Sequence, residues 1–183
     1  SNPAPACEMS VTVGADADGK LTGLKGDITY DSGALAGSPL TIAAMLLGGY
    51  YKFDNLLITG REVLTNRAAA GAYRAPGAQQ ASFAIESAID DLADQLGIDP
   101  LEFRLANCAE EGDLRPSGGA WPKIGLRETL EALKAHSAWQ NRTPGTGIAI
   151  GGWPGGVEPS TASCMMDSDG KISVVVGTSD ISG

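Results

Sequence analysis

Gly71-Ala72-Tyr73-Arg74-Ala75-Pro76-Gly77-Ala78-Gln79-Gln80 runs directly into an amphipathic stretch that keeps helical spacing as far as Leu96. Ile85, Ile89, Leu92 and Leu96 recur at intervals of four, three and four, which stacks them on one face. Glu86, Asp90, Asp91 and Asp94 fall on the side read as facing water. The spacing predicts a helix over about 79–96, with Gly97 as its C-terminal stop. A glycine-framed loop with one arginine, opening onto a helix N-terminus, presents backbone N–H groups and the positive end of a helix dipole. Such a loop is first of all a turn. A polar or anionic ligand there requires support from the rest of the chain.

Outward from the helix, the pattern changes on both sides. Upstream, Met9, Val11 and Val13 alternate with Glu8, Ser10 and Thr12, the period of a strand. Asp16-Ala17-Asp18-Gly19 supplies turn chemistry, and Lys20 to Tyr30 returns as a longer strand. Ser38-Pro39 reads as the cap of a short apolar helix over about 39–48, ended by Gly48-Gly49. Asn55 to Thr65 is expected to be a strand feeding the arginine loop. Downstream, Asp99-Pro100 opens a helix with Leu101, Phe103 and Leu105 facing inward, and Arg127 to Ser137 a third.

The polar stretch from Glu110 through Gly119 is the expected boundary between a unit at 6–112 and another at 113–183. Beyond Pro144-Gly145 the chain turns to strands, with a glycine-rich bend at Gly151-Gly152-Trp153-Pro154-Gly155-Gly156. A second hairpin follows, from Ser160 to Met166 and Lys171 to Val176 around Asp167-Ser168-Asp169-Gly170. The Asp-x-Asp-Gly-Lys pattern shared by the two hairpins lacks the further acidic ligands of an EF-hand loop, so it reads as turn chemistry. Hairpins with helices between them give an α+β class with antiparallel and mixed pairing. The chain stops within what reads as a loop, so a piece of a longer polypeptide is expected.

Composition narrows the function classes. The 183 residues carry a net charge of −9, which leaves no electrostatic footprint for nucleic acid. No apolar run approaches the ~20 residues that span a bilayer. Cys7, Cys108 and Cys164 are odd in number and widely spaced, forming neither a disulfide framework nor a zinc pattern. They read as small buried thiols in a reducing, cytoplasmic setting. His136 is the only histidine, which excludes a multi-histidine metal site and disfavours a histidine-based triad. The chain thus shows no metal-ligating residues of its own. The 25 glycines imply close backbone approaches or loops wrapped around a ligand.

Three segments in register resemble one family, the molybdenum hydroxylases of the xanthine dehydrogenase and aldehyde oxidase type. Ala72 to Gln80 is similar to that family's arginine loop. Gly97-Ile98-Asp99-Pro100-Leu101-Glu102-Phe103-Arg104-Leu105-Ala106-Asn107 is similar to the signature one helix later. Gly177-Thr178-Ser179-Asp180-Ile181-Ser182-Gly183 resembles a loop that usually reads Gly-Thr-x-x-Gly-Gln-Gly. The resemblance implies an internal piece of the large, molybdopterin-binding subunit. It further implies a molybdenum–pterin cofactor, including its cytosine dinucleotide form, whose own sulfur atoms ligate the metal. Partner subunits or domains carrying 2Fe–2S clusters and FAD would take the electrons.

By matched position, the resemblance places Arg74 and Ala75 beside the molybdenum centre and Ser182 and Gly183 against the pterin. Pro76 and Trp153 fall on walls of the substrate pocket. Pro76 stands where purine-oxidising members carry an aromatic residue, Ile42 near where they carry an arginine, and Ala75 where carbon monoxide dehydrogenases have cysteine. The implied substrate is therefore a small molecule, an aldehyde or a non-purine N-heterocycle, hydroxylated with water as the oxygen source. The family's glutamate base lies in a region outside this chain, so no catalytic residue is expected here, and Glu158 reads as a solvated loop residue. Ser182, in place of the usual glutamine, and Pro76 also fit a second reading, a non-catalytic α+β binding module derived from the family.

Overall fold

The computed structural model describes residues 2–153 and 160–177, in two compact units, Ser1–Gly152 and Trp153–Gly183. In the larger unit, β1 (Ala6–Ala15) and β2 (Leu21–Gly33) form the expected hairpin, and β3 (Asn55–Leu64) adds in parallel to β2, giving the order β1-β2-β3. Cys7, Met9, Val11 and Val13 lie half-buried on one face of β1, alternating with exposed Glu8, Ser10 and Thr12. Leu24, Ile28 and Tyr30 continue that covered face on β2, where burial is almost complete. Gly26 and Gly60 leave room on the sheet for the side chains of Leu47 and Leu40, so α1 (Leu40–Leu47) lies close against it.

Helix α2 (Ala78–Leu96) packs across the sheet and α1 through Ala81, Ile85, Ile89 and Ala93, with Leu92 and Leu96 only partly covered. Gly97 ends it in the left-handed region, its N–H donating to the carbonyls of Ala93 and Asp94. Asp99 caps α3 (Pro100–Asn107) by accepting from the N–H groups of Leu101 and Glu102, and Leu101, Phe103 and Leu105 all face the core. The last residue of α3 ties the helix to the first hairpin. Asn107 Oδ1 accepts from Leu21 N–H at 2.9 Å, while Nδ2 donates to the carbonyls of Gly19 and Phe103, each at 2.9 Å.

In the second unit, β4 (Ala162–Met166) and β5 (Ile172–Val176) pair antiparallel around the second Asp-x-Asp-Gly turn. Both turns are built alike. Asp16 and Asp167 each donate their N–H to the carbonyl of the lysine four residues on, and Gly19 and Gly170 each sit at φ +83°. Among the described residues no group of three or more His, Cys, Asp or Glu side chains is arranged to hold a metal ion. Aspartate side chains complete the turns, Asp16 Oδ1 accepting from the Asp18 and Lys20 N–H groups and Asp169 Oδ1 from that of Lys171.

Several sequence expectations need correction. Glu86, expected to face water, is 5% exposed, because α3 brings Arg104 against it. Ser38 does not cap α1. Pro39 occupies the cap position, and the Ser38 hydroxyl is buried without a partner. The third helix ends early, because His136 turns extended (φ −77°, ψ 138°). This splits the stretch into α4 (Leu126–Ala135) and α5 (Ser137–Gln140). Of the three thiols only Cys108 is fully buried, and Cys164 is exposed on the two-stranded hairpin. The stretch from Glu110 through Gly119 lies inside the larger compact unit, so the expected division at 112 and 113 is not one of compactness and stands as a matter of family organisation. The stretch is held there by Lys52 and Arg127, which pair with Glu110, and through Trp121, which bonds Gly112 and Asp113 by its backbone and donates its indole N–H to the Gly49 carbonyl at 2.8 Å.

Replacing Asn107 with Ala orphans the buried Leu21 N–H and Gly19 carbonyl together. Urea denaturation of Asn107→Ala is expected to show a loss of about 3 kcal/mol.

Candidate functional site

The chain reaches the arginine loop along a fixed track. After β3 it runs back beside the end of β2, where Ala34 N–H donates to the Arg67 carbonyl, Ala70 N–H to that of Ser32 and Gly71 N–H to that of Pro3. At the other end Gly77, at φ +84°, lies so close to the Pro39 carbonyl and Ala43 that an added Cβ would sit 3.0–3.2 Å from them. The loop is thus seated against the start of α1. That start is itself fixed by Glu62 on β3, whose Oε1 accepts from the N–H groups of Gly37 and Ser38, each at 2.7 Å, and from the Ser32 hydroxyl. With three donors converging on it, the Ser32 hydroxyl foremost, the Glu62 carboxyl is pulled down to about 2.

Between these anchors the backbone is strained. Arg74 (φ +24°) and Ala75 (φ +52°) are the non-glycine residues with positive φ among those described, and they are consecutive. Left-handed backbone in an L-residue costs on the order of 1–2 kcal/mol. The Gln79 side chain donates to the Arg74 carbonyl and helps hold the turn. Helix α2 then begins at Gly77 with no side-chain cap, so its first N–H groups have no side-chain acceptor at the cap. Successive left-handed residues before an uncapped helix N-terminus form a concave, electropositive backbone surface.

A cleft of about 430 Å³ opens beside this surface, walled by Pro5, Tyr73, Pro76, Gln79, Gln80 and Phe83. Tyr73 and Phe83 are 69% and 79% exposed, apolar surface left uncovered at its mouth. Gln80 Oε1 is buried without a hydrogen-bond partner. No carboxylate or histidine lines the cleft. A larger cleft, about 490 Å³, lies between α1 and β3, but its lining carries no charged side chain.

The structure therefore brings Arg74, Ala75 and Pro76 together in one strained turn at the start of α2. Trp153 is the first residue of the second unit and 45% exposed. Ser182, Gly183, Pro154 and Glu158 lie outside the described residues. Ile42 is half-buried within α1, against the core. Sequence reasoning missed Gln80, Glu62 and Glu86. A signal existed for the last, since Arg104 stands between Phe103 and Leu105 in a short helix and needed a buried anion.

The molybdopterin cofactor-binding domain family matches residues 1–108, more than half the chain and the whole of this loop. The chain belongs to that family. It is 35% identical to the xanthine dehydrogenase molybdenum-binding subunit of Escherichia coli O157:H7, over 92% of this chain and 25% of that protein. It is 33% identical to the aldehyde oxidoreductase of Megalodesulfovibrio gigas, over 91% of this chain and 20% of the relative. The solved aldehyde oxidoreductase from Desulfovibrio gigas superposes with a TM-score of 0.79 at 31% identity, covering 93% of this chain and 21% of that one. The chain thus spans a quarter or less of the length of these relatives. The α+β arrangement of this chain is shared by the solved aldehyde oxidoreductase over the superposed region. Among the described residues no helix is long and apolar enough to cross a membrane.

Two expectations follow from the loop's geometry. Ala75→Gly relieves a left-handed alanine, and after the entropy cost of glycine it is expected to stabilise the chain by about 0.5–1 kcal/mol in urea denaturation. The Glu62 carboxyl is held below its ordinary 4.5 in the folded chain. Its contribution is therefore fully present above that value and is lost as pH falls from about 4.5 towards 2. Glu62→Gln should flatten the acid limb of stability over that window and leave the neutral-to-alkaline limb unchanged in slope, as read by thermal melts across pH.

Proposed function

We propose that this chain is part of the molybdenum-cofactor-binding subunit of an oxidoreductase that hydroxylates an aldehyde or a non-purine N-heterocycle, with oxygen drawn from water. The observation that carries the reading is the strained Arg74–Ala75 turn at the uncapped start of α2, beside the orphaned Gln80 carboxamide oxygen. The N–H groups at the helix start suit an anionic group, the Gln80 oxygen, an acceptor, suits an N–H donor, and a cofactor that carries both and brings its own metal ligands fits the two together.

Arg74 and Ala75 would hold the cofactor with their backbone, while Ser182 and Gly183 would meet its pterin by matched position. Pro76 and Trp153 would wall the substrate pocket. Proline offers no face on which a flat purine could stack, which favours an aldehyde or a smaller ring. The cofactor, including its cytosine dinucleotide form, supplies the two-electron redox chemistry when bound. The chain's own part is to orient it, shield it from water and present backbone N–H groups to it. No carboxylate lines the cleft, which supports placing the catalytic base elsewhere in the subunit.

The family-level division, with 6–112 closing a first cofactor-binding domain and 113–183 opening a second, is supported by the family match ending at residue 108. Partner subunits or domains carrying 2Fe–2S clusters and FAD would take the electrons, in keeping with a relative that is itself a molybdenum-binding subunit. Free thiols at Cys7, Cys108 and Cys164 fit a cytoplasmic site. The second reading, a non-catalytic binding module, draws on the proline at position 76 and on Ser182 in place of the usual glutamine. A glycine-framed loop bearing a glutamate further along the same gene would favour the enzyme.

The test is to express the full-length subunit with its partners and measure molybdenum by mass spectrometry and pterin by fluorescence after oxidation. Both are expected, together with a kcat/KM for an aromatic aldehyde at least about 100-fold above that for xanthine. An intact, folded complex without molybdenum and pterin overturns the proposal. The 183-residue chain alone is expected to turn over no substrate.

A further inference from the structure

We propose that Glu86 is a positioning residue that sets the spacing between the Arg74 loop and the segment Ile150–Gly152, an inference that rests on the cofactor-subunit reading above. One buried carboxylate holds both. Glu86 lies on α2, eight residues in from Ala78, so about 12 Å of unbroken helix connects it rigidly to the loop. Its Oε2 accepts from Ile150 N–H at 2.8 Å, and also from Arg104 Nε at 2.9 Å and Nη2 at 2.8 Å. Its Oε1 accepts from the Tyr51 hydroxyl at 2.6 Å. Burial first, and the carboxylate beside it second, hold the Tyr51 phenol well above its ordinary 10.0, so it remains a donor.

The direction of the segment matters as much as its anchor. Ile150 is bound at the level of Glu86, and a Cβ on Gly151 would lie 3.9 Å from Ser82 Oγ, one helical turn closer to the loop. The chain therefore runs along α2 towards the helix N-terminus. Gly152 then passes so close to the Tyr50 hydroxyl that no side chain fits. Tyr50 is in turn stacked on Trp121, with ring centroids 5.8 Å apart, so it offers little give. The same carboxylate that steadies the helix behind the cofactor loop thus aims the segment that carries the chain into its glycine-rich bend.

The experiment uses the full-length subunit assembled with its partners and two readouts, amide hydrogen exchange by mass spectrometry and steady-state kinetics with an aromatic aldehyde. Glu86→Gln is expected to raise exchange at least about tenfold in both 71–78 and 147–152, with the β1–β2 hairpin unchanged. It should raise KM at least about fivefold while kcat stays within about threefold. Gly152→Ala displaces the segment and leaves Glu86 in place. It should reproduce the KM effect without the exchange effect at 71–78. If Glu86→Gln does not fold, Tyr51→Phe removes a single donor and should raise exchange in the same two segments to a smaller degree. In Glu86→Gln or Tyr51→Phe, exchange that rises in only one of the two segments, or everywhere including the hairpin, overturns the proposal, as does an unchanged KM in folded Glu86→Gln and Gly152→Ala. Wild-type subunit lacking molybdenum and pterin overturns the cofactor reading instead, and the paired exchange response still decides the coupling.

Discussion

A single buried ion pair holds together elements that are distant in sequence. Arg104 is fully enclosed and Glu86 nearly so, and neither charge could remain inside the protein without the other. Arg104 spends its remaining donors on Asp90 and on the Pro100 carbonyl, and Glu86 fills both of its oxygens with Tyr51, Arg104 and Ile150. The pair thus fixes α3 against α2, the residues after α1 against both, and the incoming strand-like segment against the same point. Replacing such a pair with apolar residues is often neutral for stability, whereas breaking it is costly. Its value here lies in orientation: each bond has a direction, which aliphatic packing lacks.

The arginine loop depends on that frame from the other side. It is held at its ends, by backbone hydrogen bonds to the first strands and by the close seat of Gly77 on α1, and within by the Gln79 side chain on the Arg74 carbonyl. Glu62 completes the seat by fixing the residues ahead of α1. A strained, outward-facing turn of this kind persists only where its surroundings over-determine it. The two carboxylates, one solvent-accessible on β3 and one buried on α2, do that work from opposite ends. Both are acidic groups with structural roles, close to a surface whose own groups favour anions.

The helical periodicity of α2, the aspartate cap and inward apolar residues of α3, the alternation of β1 and both Asp-x-Asp-Gly turns were legible from local pattern. Each is decided by interactions within a few residues. The cofactor reading of the arginine loop rests on its register with the α3 signature, which no pattern inside the loop supplies. Glu86 was misread because a helical wheel assigns a charge to solvent by default. Its burial depends on Arg104, eighteen residues away on another helix. His136 was read through as helix because nothing local forbids it, although its imidazole caps the next turn by accepting from Ala138 N–H.

The sequence by itself determined the α+β class, the order of the elements, the family and the loop on which the cofactor reading rests. Those follow from periodicity, turn residues and motif spacing, which are properties of neighbours along the chain. Only the tertiary structure decided that β3 lies parallel to β2, that Arg74 and Ala75 are both left-handed, and that Glu86 joins the helix after the arginine loop to Ile150. These depend on contacts across 18 to 64 positions for the carboxylate alone, and burial changes the meaning of a charge that no local pattern can reveal.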